Sequence, residues 1–364
     1  MVVTSLHYHV VCLVILCFLL CFCGFGHALY QALLVFGASQ LDVGNNNYLV
    51  TPIKVNFHPY GIDYPGGEAT GRFSNADIIT DYLAKHVGLE ASPKPYLSPS
   101  FNTNKTTEFL KGVNFASGGA GILDSTNKGL CIAFSKQVDY FNATVEAIAK
   151  QIGPRETYKH ISKSLIVINI GNNDILVYNG VGFSSIVLNG TTPDQYVDQL
   201  MSSLQPLLKK IYNLGGRKFV IIGAGAQGCL PVLRARQATG DCNEDANYLS
   251  RLFNERLASL MQELLSSLGG LKYSFFNPYT AFVELYNNRG TNGFTEVKVA
   301  CCGAGNLNGT IPCNRTTIPC SNRTNHVFWD GVHNTQAVSK VYMSIAFHGS
   351  PPYVYPINVK QLND

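Results

Sequence analysis

Residues 32–47 read ALLVFGASQLDVGNNN, and this stretch decides the fold class. Its five leading apolar residues, Ala32–Phe36, are typical of a buried strand, and Gly37 permits a sharp exit from that strand. Further strands are predicted at Val113–Phe115, Leu165–Ile170, Phe219–Ile222 and Lys272–Phe276. Helical patterns separate them, at Asp77–His86, Phe134–Gln151, Tyr196–Tyr212 and Ala246–Leu268. This alternation predicts an α/β fold in which four or five parallel strands are covered by helices on both faces.

Composition excludes several classes of protein. Of the 364 residues, 46% are hydrophobic and 14% charged, which excludes a disordered or fibrous chain. A formal charge of +4, with no Lys/Arg run longer than two residues, argues against nucleic acid as the main partner. The only long apolar run lies at the N-terminus, so we do not expect a polytopic membrane protein.

That N-terminal run predicts export. Val10–Cys23 is apolar throughout, and Gly26-His27-Ala28 is a plausible cleavage site, so we expect a signal peptide over residues 1–28 and one domain over residues 29–364. An uncleaved membrane anchor is the alternative. Six sites for N-glycosylation also favour a secreted protein: Asn104, Asn142, Asn189, Asn308, Asn314 and Asn322.

Seven cysteines remain after the predicted signal peptide, and the adjacent pair Cys301-Cys302 is poorly spaced for one zinc ion. We therefore expect disulfides and no metal. Cys229 and Cys242 could close a short loop, and Cys301 or Cys302 could pair with Cys313 and Cys320. Because seven is odd, at least one thiol is free or pairs between chains.

Polar residues that follow predicted strands are the candidates for chemistry, because active sites of parallel sheets lie beyond the carboxyl ends of the strands. Ser39 follows the first strand as a candidate nucleophile, and Asn173 follows the third as a candidate oxyanion donor. Backbone amides at Ser117-Gly118-Gly119 follow the second. Near the C-terminus, Asp330 precedes His333 by three residues, a spacing at which a carboxylate can orient an imidazole base.

In this order, the motifs resemble those of the plant-type GDSL esterase/lipases, within the SGNH hydrolase superfamily. The resemblance runs from about Ala32 to Phe347. It rests on Phe36–Ser39 with Asp42–Asn47, Thr70–Asn75, Gly112–Gly121, Gly171–Asp174, Gly228–Pro231, Cys301–Gly303 and Asp330–His333.

The resemblance implies a three-layer, flavodoxin-like fold with about five parallel strands and a serine esterase or lipase that needs no cofactor. It implies a catalytic triad of Ser39, Asp330 and His333, and an oxyanion hole formed by Ser39, Gly118 and Asn173. Its substrates would be small-molecule or lipid esters. The alternative is a secreted glycoprotein that keeps the fold, binds lipid or carbohydrate and has little activity.

Three positions depart from the family pattern. Ala38 stands where the family has Asp, Gln40 where it has Leu, and Asn334 where it has Pro after the catalytic His. A different motif, Gly-x-Gly-x-x-Gly at residues 223–228, resembles a dinucleotide-binding loop. Because Pro231 follows where that loop requires a helix, we do not predict a nicotinamide cofactor.

Overall fold

The protein is described by a computed structural model that covers residues 28–101, 106–184 and 190–364. The sites at Asn104 and Asn189 and nearly all of the predicted signal peptide lie outside these residues. Within these described ranges there are six strands: β1 (Leu33–Gly37), β2 (Gly112–Asn114), β3 (Leu165–Asn169), β4 (Lys218–Ile222), β5 (Lys272–Phe276) and β6 (Val354–Pro356). They form one sheet in the order β2-β1-β3-β4-β5-β6, parallel except for β6.

The five parallel strands confirm the predicted sheet, with ends displaced by one residue at most. The short sixth strand was not expected. It pairs antiparallel with β5 at the edge of the sheet and ends at Pro356, a residue that an edge strand tolerates because one side of the strand needs no donor. Three residues are too few to give a strand pattern in the sequence.

The α-helices are α1 (Ile79–His86), α2 (Phe134–Ile152), α3 (Pro154–Ser162), α4 (Asn172–Tyr178), α5 (Pro193–Asn213), α6 (Pro231–Arg234), α7 (Glu244–Ser267), α8 (Pro278–Asn287) and α9 (Gln336–His348). Short 3-10 helices occur at Asn45–Tyr48, Pro65–Gly67, Pro99–Phe101, Thr106–Lys111, Gln227–Cys229, Asn306–Asn308 and Lys360–Asn363. The four predicted helices correspond to α1, α2, α5 and α7. Two of them begin earlier than predicted, because Thr192 and Asn243 cap them with side-chain oxygens.

Side-chain alternation along β1 contributes to a core on each face of the sheet. Leu33 and Val35 of β1 belong to one apolar cluster, whereas Leu34 and Phe36 belong to the other. The first cluster includes residues of α1, α8 and α9, and the second includes residues of α2, α5 and α7. The result is the three-layer arrangement that was predicted.

Strand order determines where the site lies. The chain leaves β1 toward β2 on one side, and the later strands are added on the other side. Between β1 and β3 the winding therefore reverses, which opens a crevice at the carboxyl ends of these strands. Ser39 follows β1 and Asn173 follows β3, so both lie at this crevice.

Three disulfides join Cys229 to Cys242, Cys301 to Cys320 and Cys302 to Cys313. The first agrees with the predicted short loop, and the other two settle the pairing that the sequence left open. Cys131 is the free cysteine within the described part of the chain.

Candidate active site

The loop that carries Ser39 is held by backbone contacts at the end of β1. Gly37 has φ +140°, and a Cβ there would come within 2.2 Å of the Asn169 carbonyl oxygen, so only glycine fits. The buried side chain of Gln137 on α2 accepts a hydrogen bond from the Gly37 N–H and donates one to its carbonyl. The strand end is thereby fixed from both sides, and Ser39 is presented at 9% exposure.

Ser39, His333 and Asp330 form a continuous hydrogen-bonded chain. His333 Nε2 lies 2.8 Å from Ser39 Oγ, although the two residues are 294 positions apart. On the other side of the ring, Nδ1 lies 2.8 Å from both carboxylate oxygens of Asp330. Asp330 Oδ1 also accepts from the backbone N–H groups of Val332 and His333, which makes the turn that the three-residue spacing suggested. In this arrangement Nε2 can act as a base toward the serine hydroxyl.

Tyr60 is a further member of this chain that sequence reasoning missed. Its buried hydroxyl donates to Asp330 Oδ2 at 2.7 Å, and its ring packs edge-on against Trp329. Burial alone would raise the pKa of the Asp330 carboxyl, but the charge of His333 and the hydrogen bonds from His333 and Tyr60 lower it below its usual value. Asp330 is therefore held ionised. No sequence pattern links Tyr60 to Asp330, because 270 positions separate them.

Thr70–Asn75, the second block of the resemblance, braces the histidine loop. The Phe73 ring lies 4.9 Å from the His333 ring, and Ser74 Oγ donates to the Asn334 carbonyl. Arg72 is anchored behind them by a buried two-point ion pair with Asp81 on α1. Thr70–Asn75 therefore contacts both the His333 ring and the backbone that follows it.

The predicted oxyanion donors are only partly brought together. Ser39 and Asn173 line the same cleft, and Asn173 Nδ2 donates one hydrogen to the Ala120 carbonyl, which leaves its second for a ligand. The Gly118 N–H, however, donates to Asp42 Oδ2, and Gly118 does not line the cleft.

The Gly118 assignment is therefore not supported, because its single N–H is already bonded. Gly118 instead needs to lack a side chain, since a Cβ would come within 2.4 Å of the Phe73 ring. The neighbouring Gly119 does line the cleft, and its N–H has no acceptor among the described residues. The pair Gly118-Gly119 locates the candidate backbone donor in the sequence, but it does not show which of the two N–H groups faces the cleft.

Two buried carboxylates hold the loops of the site in place. Asp42 accepts from the N–H groups of Gly44, Asn45 and Gly118, which ties the serine loop to the loop after β2. Asp174 accepts from Ile122, Leu123 and Thr126, which ties the start of α4 to that same loop. Burial raises the pKa of each carboxyl to about 6, because its effect exceeds that of the hydrogen bonds, which lower the pKa.

The cleft in front of Ser39 has a volume of about 410 Å³ and mostly apolar walls. Apolar side chains in these walls include Ile53, Val55, Phe57, Phe73, Leu176, Val181, Phe183, Val232 and Ile311. Among the lining residues that the structure describes, Lys54 is the one Lys or Arg, and its Nζ already donates to the Asn47 carbonyl. Such a cleft fits an apolar chain whose polar end lies at Ser39.

Residues 28–101, 106–184 and 190–364 contain no cluster of three or more His, Cys, Asp or Glu side chains that could hold a metal ion. Within those residues, none of the helices has the length and apolar character needed to cross a bilayer.

Known proteins resemble this chain over most of its length. The model of the family described as GDSL-like lipase/acylhydrolase matches residues 33–343. The chain belongs to this family. One GDSL esterase/lipase from Arabidopsis thaliana is 37% identical over 346 residues, which are 92% of this chain and 88% of the relative. GDSL esterase/lipase 7 from the same plant is 36% identical over 342 residues, 92% of each chain.

Membership of the GDSL family makes the protein a serine ester hydrolase with the SGNH fold, as the resemblance implied. Small-molecule esters fit this class of enzyme. The three disulfides are compatible with an extracellular protein.

Proposed function

We propose that this chain is a secreted hydrolase of acyl esters, including lipid esters, that works through an acyl-enzyme on Ser39. The observation that carries the proposal is the unbroken chain of 2.8 Å contacts from Ser39 Oγ through His333 to Asp330. In this proposal Ser39 is the nucleophile, His333 the general base and acid, and Asp330 the group that orients and stabilises the imidazolium.

The reaction has two balanced halves. Ser39 Oγ attacks the ester carbonyl carbon while its proton passes to His333 Nε2. The tetrahedral intermediate then collapses, and the alcohol leaves with the proton from Nε2. In the second half, water gives a proton to Nε2 and attacks the acyl carbon. The acid is released, and the proton returns to Ser39 Oγ.

The oxyanion of each intermediate is bound, we propose, by the Ser39 N–H, the Gly119 N–H and the second Nδ2 hydrogen of Asn173. Gly119 replaces Gly118 in this assignment because the Gly118 N–H is bonded to Asp42. The bond from Asn173 to the Ala120 carbonyl keeps the amide oriented before substrate arrives, so little reorganisation is needed in the transition state. The acyl chain would occupy the apolar 410 Å³ cleft.

Export is part of the proposal, with residues 1–28 removed as a signal peptide and residues 29–364 forming one domain. Among the predicted glycosylation sites, Asn314 and Asn322 are exposed, so they are the best acceptors; Asn314 lies within the segment that two disulfides close, and Asn322 lies two residues beyond it. Asn142 and Asn308 are less accessible, because each is partly buried.

Hydrolysis of p-nitrophenyl esters of increasing acyl length by the purified glycoprotein tests the proposal, together with labelling by a fluorophosphonate probe. Ser39→Ala should abolish both. Asn173→Ala should lower kcat by about 10²–10³-fold, the effect of losing one oxyanion donor, while the probe still reacts slowly. Wild-type protein that is folded, unlabelled and inactive on the whole series would favour the alternative of a binding glycoprotein.

A further inference from the structure

The segment Asp42–Asn47, which carries part of the family resemblance, contains adjacent asparagines that the proposed mechanism does not use. Asn45 and Asn46 are both buried, at 0% and 1% exposure, and neither lines the cleft in front of Ser39. Each nevertheless donates both hydrogens of its side-chain amide to backbone carbonyls of other segments. A buried amide bonded in this way fixes the backbone that it contacts, because its loss would leave buried polar groups unpaired.

Asn46 bonds to the loop that carries the candidate backbone donor of the oxyanion hole. Its Nδ2 donates to the Gly118 carbonyl at 2.9 Å and to the Ile53 carbonyl at 2.8 Å. Its Oδ1 accepts from the Ser117 hydroxyl. Both donor hydrogens and the acceptor oxygen of Asn46 are therefore in use, and the amide cannot turn without breaking these bonds.

The peptide between Gly118 and Gly119 is the one that Asn46 holds. A trans peptide is planar and its N–H points away from its C=O, so the bond to the Gly118 carbonyl also sets the direction of the Gly119 N–H. The Gly118 N–H is bonded to Asp42 Oδ2 at 2.9 Å, so Gly118 is held on both sides by the serine loop. With its carbonyl bonded to a buried side chain, this peptide is left with its N–H for the cleft that Gly119 lines.

Two consecutive glycines would otherwise leave this peptide free to rotate, because glycine populates φ of either sign. Gly119 itself has φ +88°, and its carbonyl accepts from the buried Nδ2 of Asn127 at 2.8 Å. Ile53, whose carbonyl Asn46 also holds, packs so closely that a Cβ on Gly119 would come within 2.6 Å of its side chain. Asn46 therefore holds both the donor peptide and the cleft wall that lies against it.

We propose that Asn46 is a positioning residue for ester hydrolysis, which aims the Gly119 N–H at the oxyanion through its bond to the Gly118 carbonyl. The inference rests on the proposed function, because it assumes that the Gly119 N–H is an oxyanion donor. Asn46 and Ser39 both belong to the segment that follows β1. The segment that carries the nucleophile thus also holds the donor that stabilises the charge formed by its attack.

Alanine substitutions of the two adjacent asparagines test the proposal. Asn45→Ala is the matched control, because Asn45 also donates from Nδ2 to two backbone carbonyls, those of Asn114 and Ala116, which do not belong to the Gly118–Gly119 peptide. Both variants should lower the thermal midpoint, and only Asn46→Ala should lower kcat for p-nitrophenyl butanoate. We expect a loss of about tenfold, less than the ~10²–10³-fold of removing a donor outright, because the N–H is still present but less well aimed. KM should change little, since Asn46 does not line the cleft.

A trifluoromethyl ketone with a butyl chain supplies a readout of the oxyanion itself. Ser39 Oγ adds to its carbonyl carbon, the carbonyl oxygen becomes the oxyanion, and the serine proton passes to His333. For Asn46→Ala the inhibition constant of this ketone should rise by the same factor as kcat/KM falls, because the adduct resembles the transition state. For Asn45→Ala the constant should stay that of the wild type. If Asn46→Ala does not fold, Asn46→Ser and Asn45→Ser replace the pair, since a hydroxyl can still bond one carbonyl.

Wild-type kcat in the Asn46 variant would overturn the proposal. So would equal losses of kcat in the two variants, because they would reflect a general loosening of the loop. A lower kcat with unchanged affinity for the ketone would also overturn it, because the oxyanion would not be involved. If Ser39→Ala still hydrolyses the ester, the proposed function itself fails.

Discussion

Replacement of Tyr60 by phenylalanine removes one hydroxyl and leaves the ring that packs against Trp329. Asp330 Oδ2 then keeps only its contact with His333 Nδ1, whereas Oδ1 keeps both backbone N–H donors. A hydrogen bond to a charged group contributes about 1.5–3 kcal/mol, which corresponds to roughly 10–150-fold in a rate if all of it acted in the transition state. Because three donor groups still contact Asp330, the N–H groups of Val332 and His333 and the His333 ring, we expect a loss near the lower end, about tenfold in kcat.

The assay is the steady-state hydrolysis of p-nitrophenyl butanoate, with kcat and KM determined separately. KM should change little, since the phenyl ring still lines the cleft, and kcat should fall because Asp330 is freer to rotate when the imidazolium forms. Tyr30→Phe is the matched control. Its hydroxyl is also buried and also donates at 2.7 Å, to the Val359 carbonyl, but it lies beyond the other end of β1 from Ser39.

Both variants should lower the thermal midpoint by similar amounts, and only Tyr60→Phe should lower kcat. A Tyr60→Phe enzyme with wild-type kcat would refute a positioning role for this hydroxyl. Equal losses of kcat in the two variants would also refute it, since they would reflect partial unfolding.

Two further predictions concern stability and reactivity. Arg72→Ala should destabilise the fold by about 3–5 kcal/mol at pH 7, because it leaves the buried Asp81 carboxylate unpaired. Burial alone would raise the pKa of Asp81, but the contacts with Arg72 lower it below its ordinary value, so the ion pair stabilises the fold at neutral pH and ceases to do so as Asp81 is protonated. In urea titrations the difference in unfolding free energy between wild type and variant should therefore shrink as the pH falls below about 4. Cys131 should resist iodoacetamide at pH 8 in the folded protein and react in urea, because burial raises the pKa of its thiol to about 12. Rapid alkylation of native Cys131 would contradict its placement.

Local patterns were enough to predict the layered fold. Apolar runs of three to six residues between amphipathic helices favour a parallel sheet covered on both faces, and Leu33 to Phe36 contribute alternately to the two cores. The pairing of Asp330 with His333 was also predictable, because three residues span one turn. The first residues of α5 and α7 were harder to predict, because the caps Thr192 and Asn243 lie before the apolar pattern begins.

Which atoms meet across long separations was decided by the tertiary structure. Tyr60 donates a hydrogen bond to Asp330 across 270 positions of sequence. The Gly118 N–H donates to Asp42 across 76 positions, and Gly119, not Gly118, lines the cleft. Sequence periodicity records only which face of an element is apolar. It carries no information about the loops that follow the strands, since their conformations depend on hydrogen bonds to partners that the folded sheet brings near. The sequence alone therefore predicted the class of enzyme, through motifs that resemble those of a known family. The partners of Asp330 and Asp42, in contrast, were decided by folding, because only the folded sheet brings these distant loops together at one edge.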